Sequence, residues 1–176
     1  MTSQPSQTIA LSQFAGEWAL DSSRSSVTFQ SSTFWGLLKV NGEFTSLSGE
    51  ATIDPSGTVH GQLAIDATSV NTGNTKRDNH LRSDDFFAVA KHPKIIFELN
   101  AIAPGSETHR IGGTLRIIGN SQPLDLDARL QDLGDSGLTL HIQTTVDRSR
   151  WGVTYRKQGM TNMNTALDIT ARFGRK

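Results

Sequence analysis

The chain has 176 residues, 17 Lys plus Arg against 17 Asp plus Glu, a formal net charge of zero and no cysteine. That length suits one domain with a core that needs no staples. The missing cysteines exclude disulfides, thiolate metal sites and cysteine nucleophiles without fixing the compartment, and the neutral balance argues against a dedicated nucleic-acid binder and against purely electrostatic attachment to a membrane.

Residues 1–13 are rich in Ser, Thr and Gln with no basic residue, and read as a flexible leader before one domain over 14–176. Their longest apolar run, Ile9-Ala10-Leu11, is too short for a signal-peptide core. No stretch approaches the ~20 apolar residues of a membrane span. The chain as written is expected in the cytoplasm; loss of a native signal would place it in the periplasm or outside the cell.

From Gly16 onward period-two alternation dominates, the mark of strands with one buried face. Strands are expected over 17–21, 26–34, 37–45 and 48–54, interrupted by Gly36, Gly42 and Gly49, which mark bulges, corners or close backbone approach. Next, Val59, Gly61, Leu63 and Ile65 alternate with His60, Gln62, Ala64 and Asp66. Residues 70–93 carry no alternation. There Asn74 or Thr75 suits the cap of a short helix through Arg82, and Ser83-Asp84-Asp85 suits a second turn bearing Phe86 and Phe87. Long ordered connections of this kind are often functional. Strands resume at 94–101, 110–118, 124–131, 138–146 and 167–173. Asp54-Pro55-Ser56-Gly57, Pro104-Gly105-Ser106, Asn120-Ser121-Gln122-Pro123 and Gly134-Asp135-Ser136-Gly137 supply tight turns. Short turns make neighbours antiparallel, and this many strands curl or close. The expected fold is all-β: an antiparallel barrel with a short helical segment near 75–88. Leu63, Phe97, Leu115, Leu126, Leu140 and Ile169 should be buried, and Gln62, Arg116, Asp125, His141 and Asp168 exposed; a one-residue slip would invert all of them.

Little here reads as catalysis. Asp78 is able to orient His80 as a base; the alternative is that Arg77, Arg82 and the three aspartates form ion pairs pinning a helical lid. No Gly-x-Ser-x-Gly elbow stands nearby. His60, His80, His92, His109 and His141 show no zinc spacing, and no Gly-rich loop joins a strand to a helix. No catalytic residue, metal or cofactor is expected. The interior is the remaining candidate. Small groups at Gly61, Ala128, Thr144 and Ala171 either leave room for a ligand or face large neighbours across a dry core; on pattern alone both stay open.

The run Thr72-Gly73-Asn74-Thr75-Lys76-Arg77-Asp78-Asn79-His80-Leu81-Arg82-Ser83-Asp84-Asp85-Phe86-Phe87, followed by Lys91-His92-Pro93-Lys94-Ile95-Ile96-Phe97, resembles the signature of the YceI-like family. Trp18-Ala19-Leu20-Asp21, Ser25-Ser26-Val27-Thr28-Phe29, Leu115-Arg116-Ile117-Ile118-Gly119 and Asp147-Arg148-Ser149-Arg150-Trp151-Gly152-Val153 extend the resemblance over nearly the whole chain from about residue 16. The resemblance implies an extended antiparallel lipocalin-like β-barrel of about eight strands holding a polyisoprenoid, isoprenoid quinone or fatty-acid derivative, and carries over no catalytic residue. Two departures stand out: the signal peptide of exported members is missing, and Tyr155–Asn164 replaces a glycine-rich segment before the last strand. Together with the apolar strand faces, the resemblance gives an expected lining of Phe29, Trp35, Leu38, Phe44, Leu63, Phe97, Leu115, Leu126, Leu140, Ile142, Trp151 and Ile169, with Arg77, His80 and Arg82 nearer the mouth. The partner is then a lipid and no nucleic acid, with pairing into homodimers left open. The rival readings are a lipid-modifying enzyme using the same cavity and a dry barrel acting as an interaction module.

Overall fold

The computed structural model describes residues 10–33, 36–132, 134–156 and 161–176, with only the backbone of Asp132 and Ser136. Its strands are β1 (Gly16–Leu20), β2 (Ser26–Thr33), β3 (Leu38–Phe44), β4 (Leu47–Ile53), β5 (Val59–Asp66), β6 (Val70–Asn71), β7 (Lys94–Ala103), β8 (His109–Ile117), β9 (Asn120–Asp132), β10 (Leu138–Asp147) and β11 (Asn164–Arg175), with one helix, α1 (Thr75–Arg82). Every pairing is antiparallel, and the sheet closes because β1 pairs with both β4 and β11.

Three pairs of consecutive strands are single staves broken in the middle. β1 and β2 both run along β11, β4 and β3 run along them in turn, and β5 and β6 follow β4 and β3. Counted this way the closed barrel has 8 staves, each antiparallel to the next in the chain. Two of the breaks are tied side by side. Thr45 N–H donates to Ser69 O at 3.3 Å, Ser46 N–H to Ser69 Oγ at 3.1 Å, and Asp66 N–H to Ser46 O at 3.0 Å. Asp21 and Asp66 each start a short 3-10 turn by accepting the N–H and hydroxyl of the residue two further on, Ser23 or Thr68. Asp54 and Asp147 repeat the device with Ser56 and Ser149. In all four the hydroxyl hydrogen bond is the main cause holding the carboxyl below the usual carboxylate range.

With alternating connections, one end of the barrel carries the β2–β3 tip, the 72–93 connection, the β8–β9 turn and the 148–163 connection; the other carries the β4–β5, β7–β8 and β9–β10 turns. The second end is closed. Leu11–Phe14 form a 3-10 turn whose Leu11 and Phe14 pack against Trp18, Ile53, Val59 and Leu138, and Trp18 Nε1–H donates to Phe14 O at 2.9 Å. Leu11, Ser12 and Gln13, expected in the leader, thus sit in the folded domain, because an apolar pair spaced three apart fills the barrel's open bottom.

The inside–outside register is the expected one: Gln62, Arg116, Asp125, His141 and Asp168 are exposed, and Leu115 and Leu126 are buried. Leu63, Phe97, Leu140 and Ile169 point inward yet are only half-buried. All four border internal space.

A histidine is buried at the closed-end start of β8. His109, 5% exposed, has no hydrogen-bond partner for either ring nitrogen among the described residues. Burial pushes its pKa below the ordinary 6.5, so it folds neutral. Below about pH 6.5 the unfolded chain binds the proton more readily than the native one, and stability falls as pH drops through the folded pKa. Replacing it with an apolar side chain removes an unsatisfied buried group, worth about 1–3 kcal/mol. His109→Leu should therefore raise the urea midpoint at pH 8 and raise it further at pH 5; a lower midpoint at both would contradict this reading of the site.

Candidate functional site: a lidded apolar cavity

Inside the open end lies a cavity of about 490 Å³, within the roughly 300–1,000 Å³ range of ligand pockets. Of the expected lining, Phe29, Phe44, Leu63, Phe97, Leu115, Leu126, Leu140, Ile142 and Ile169 border it, as do Arg77 and His80. Three do not. Leu38 stands outside on the β2–β3 tip, 54% exposed. Trp151 is buried in the wall, its Nε1–H donating to Leu115 O at 2.7 Å. Arg82 turns away to donate to Thr68 O at 2.8 Å and Val70 O at 3.0 Å. Trp35 lies outside the described residues.

Two glycines help keep the lumen open. A side chain at Gly42 would overlap the Phe29 ring, and one at Gly113 would overlap the Phe97 ring. Both rings therefore lie back against the wall over a bare backbone, and the space they would otherwise fill is left empty. Gly61 and Ala171 border the cavity too, whereas Ala128 is fully buried.

The 72–93 connection forms the lid. Asn74 caps α1 by accepting Arg77 N–H at 2.9 Å. Phe87 sets its edge against Phe44, centroids 5.7 Å apart. Phe86 packs with His80 and Tyr155 at 5.2 and 5.1 Å, and those two rings lie 4.8 Å apart. The expected Arg–Asp pairing is corrected here. Buried Asp78 accepts from the Thr72 N–H and hydroxyl, not from His80, and Arg77 donates to Thr72 Oγ1 at 2.7 Å and Thr72 O at 2.9 Å. The broken stave beside α1 exposes carbonyls that suit the guanidinium fork, so the arginines bind carbonyls, the Thr72 hydroxyl and the Asn79 amide oxygen instead of carboxylates. His80 Nε2 meets Asp85 Oδ2 at 2.8 Å and Lys91 Nζ meets Asp84 Oδ2 at 3.1 Å.

The mouth holds a cation that sequence reasoning did not single out. Asp147 caps a turn over Arg148–Trp151 that Gly152 ends at φ 82°. The turn aims Arg148 across the opening, where it donates to Val153 O and Tyr155 O at 2.7 Å each and to Asn162 O at 3.3 Å. Its guanidinium lies 5.5 Å from the Phe86 ring centroid. Burial, and the nearby Arg156 charge, push its pKa below the ordinary arginine value. Arg77 and Arg148 both border the cavity. The acidic residue among its described borders is Glu50, whose carboxylate is instead 3.0 Å from Lys176 Nζ. The polar rim thus carries a positive balance. The Asp-x-Ser spacing of Asp147 and Ser149 was the available signal for this turn. No group of three His, Asp or Glu is placed to hold a metal among the described residues.

A closed antiparallel barrel around an apolar space, covered by a short helix, has the architecture of the lipocalin-like cavity proteins. Residues 18–173 match the YceI-like domain, and the chain belongs to that family. Protein YceI of Escherichia coli O6:H1 is 34% identical over 96 residues, 53% of this chain and 50% of that protein. A UPF0312 protein of Pectobacterium carotovorum aligns with the same figures; the match spans about half the length of these relatives. Among solved structures, Burkholderia cenocepacia BcnA superposes with a TM-score of 0.78 at 20% identity, over 87% of this chain and 98% of that one. A polyisoprenoid binding domain from Saccharophagus degradans, implicated in plant cell wall breakdown, gives 0.73 at 18% identity over 90% and 98%. At these identities both likenesses speak for the fold.

Proposed function

We propose that the barrel binds a long-chain apolar lipid, a polyisoprenoid, isoprenoid quinone or fatty-acid derivative, for carriage, storage or sequestration, with any anionic head held at the mouth. The observation that carries this reading is an internal space walled by inward apolar side chains that touch no protein partner on one side. Such a space is unfavourable for water and favourable for hydrocarbon. Each buried CH₂ contributes roughly 0.8 kcal/mol. Ordering the tail and losing free motion remove several kcal/mol. Micromolar affinity, about −8 kcal/mol, therefore calls for a tail longer than about ten carbons, and one methylene discriminates weakly between lipids. The polyisoprenoid binding of the Saccharophagus relative supports the same ligand class.

The test is a titration with fluorescent prenyl and fatty-acyl probes of increasing length, as phosphates or carboxylates and as neutral alcohols. Affinity should rise with length until the lumen is full. Arg148→Gln should weaken anionic probes by about tenfold, the worth of one charge-assisted contact, and leave the alcohols unchanged. Affinity independent of chain length would overturn the reading.

A further inference from the structure

Among the described residues, the large apolar side chains left in water are Leu37 and Leu38, 83% and 54% exposed. They are neighbours at the β2–β3 tip, and the same hairpin supplies Ser31, Thr33 and Val40 to the border of the cavity. The apolar tip therefore stands at the rim of the mouth, next to the way in. Exposed Lys39 follows it.

The connections at the two ends of the barrel differ in charge, although the chain is neutral. The closed-end connections 54–58, 104–108 and 132–137 carry Asp54, Glu107, Asp132 and Asp135 and no Lys or Arg. At the mouth, the described residues of the connection over 148–163 carry Arg148, Arg150 and Arg156 and no carboxylate, and the 72–93 connection carries Lys76, Arg77, Arg82 and Lys91 against Asp78, Asp84 and Asp85. The 148–163 connection borders the tip: Asn162 N–H donates to Ser32 O at 2.9 Å, and Ser32 pairs with Lys39 across the hairpin. A neutral protein with this arrangement orients in a field, positive mouth toward negative surface.

We infer that the mouth end docks on an anionic lipid bilayer, with Leu37 and Leu38 entering the interface and Lys39, Arg150 and Arg156 lying against the headgroups. An apolar wedge ringed by cations is the pattern of interfacial membrane binding. No helix among the described residues is long and apolar enough to cross a membrane. Two leucines and a few charges give weak, reversible attachment, and attachment in this pose would set the cavity mouth against the bilayer. The docking surface lies outside the cavity, so it is measurable whether or not the lumen is filled.

The experiment is flotation of the whole chain with phosphatidylcholine vesicles, with and without phosphatidylglycerol. The chain should float with the anionic vesicles, stay behind with the neutral ones, and detach as salt rises. Withdrawing one leucine from the interface is worth about tenfold in partition, so Leu37→Asp with Leu38→Asp should reduce binding by more than about tenfold, and Lys39→Glu by several-fold. Both positions are exposed, and an unchanged unfolding temperature confirms that the variants fold. A prenyl probe offered without vesicles should bind parent and variants alike; if it binds none of them, the lipid-cavity reading fails and the docking result still stands. Equal flotation of the parent on neutral and anionic vesicles would overturn the inference, as would full flotation of the leucine variants. So would concentration-dependent dimers that only the leucine variants lose, which would assign the tip to a second copy of the chain.

Discussion

Trp151→Ala should destabilise the fold by about 3–5 kcal/mol, the range for removing a large buried aromatic. Trp151 is 0% exposed. It joins the core cluster with Leu115, Ile117, Val146 and Val153, its indole N–H donates to Leu115 O, and its own carbonyl accepts Asn120 Nδ2–H at 2.8 Å. The residue fastens the 148–163 connection to β8 and β9, so its loss should also release Arg148 from the mouth. Trp151→Phe retains most of the packing and loses the N–H bond, and should cost about 1–3 kcal/mol. Urea unfolding followed by circular dichroism measures both. A cost below about 1 kcal/mol for the alanine variant, the size of an ordinary surface change, would show that the connection does not hang on this side chain.

Leu140→Trp should abolish binding of long lipids while leaving the barrel folded. Leu140 borders the cavity, is half-buried, and faces Leu130 and Ala171 across its two strand pairings. In a dry core the larger ring would force neighbours off their rotamers at about 1–3 kcal/mol. Here it has room, so the stability change should stay under about 1 kcal/mol while long prenyl probes lose more than tenfold in affinity. Stability lost with probe binding intact would mean that the space is not where the tail lies.

The strands were legible because alternation is a local signal. β9, β10 and β11 each read as a two-residue period, and the register that put Leu115 and Leu126 inside and Arg116 and Asp168 outside followed from it. The stave breaks were not legible. Asp21 and Asp66 act through a hydroxyl two residues on, a pattern that also occurs in ordinary turns. Whether the core is dry or hollow could not be read either, since alternation tells which face is inward and not what that face touches. The answer lay in cross-strand neighbours, with Gly42 under Phe29 and Gly113 under Phe97. Arg82 was misassigned because its nearest opposite charges in sequence are aspartates, while its nearest acceptors in space are the carbonyls of Thr68 and Val70. His109 was readable and missed: it shares the inward parity of Ile111, Gly113 and Leu115.

The most direct measurement is organic extraction of the natively purified chain followed by mass spectrometry of the extract. A lipid with a long prenyl or acyl chain, present at close to one molecule per barrel and absent from an extract of Leu140→Trp prepared in parallel, is the predicted result. An extract without lipid, from a barrel that also fails to take up long prenyl or acyl probes, would contradict the account.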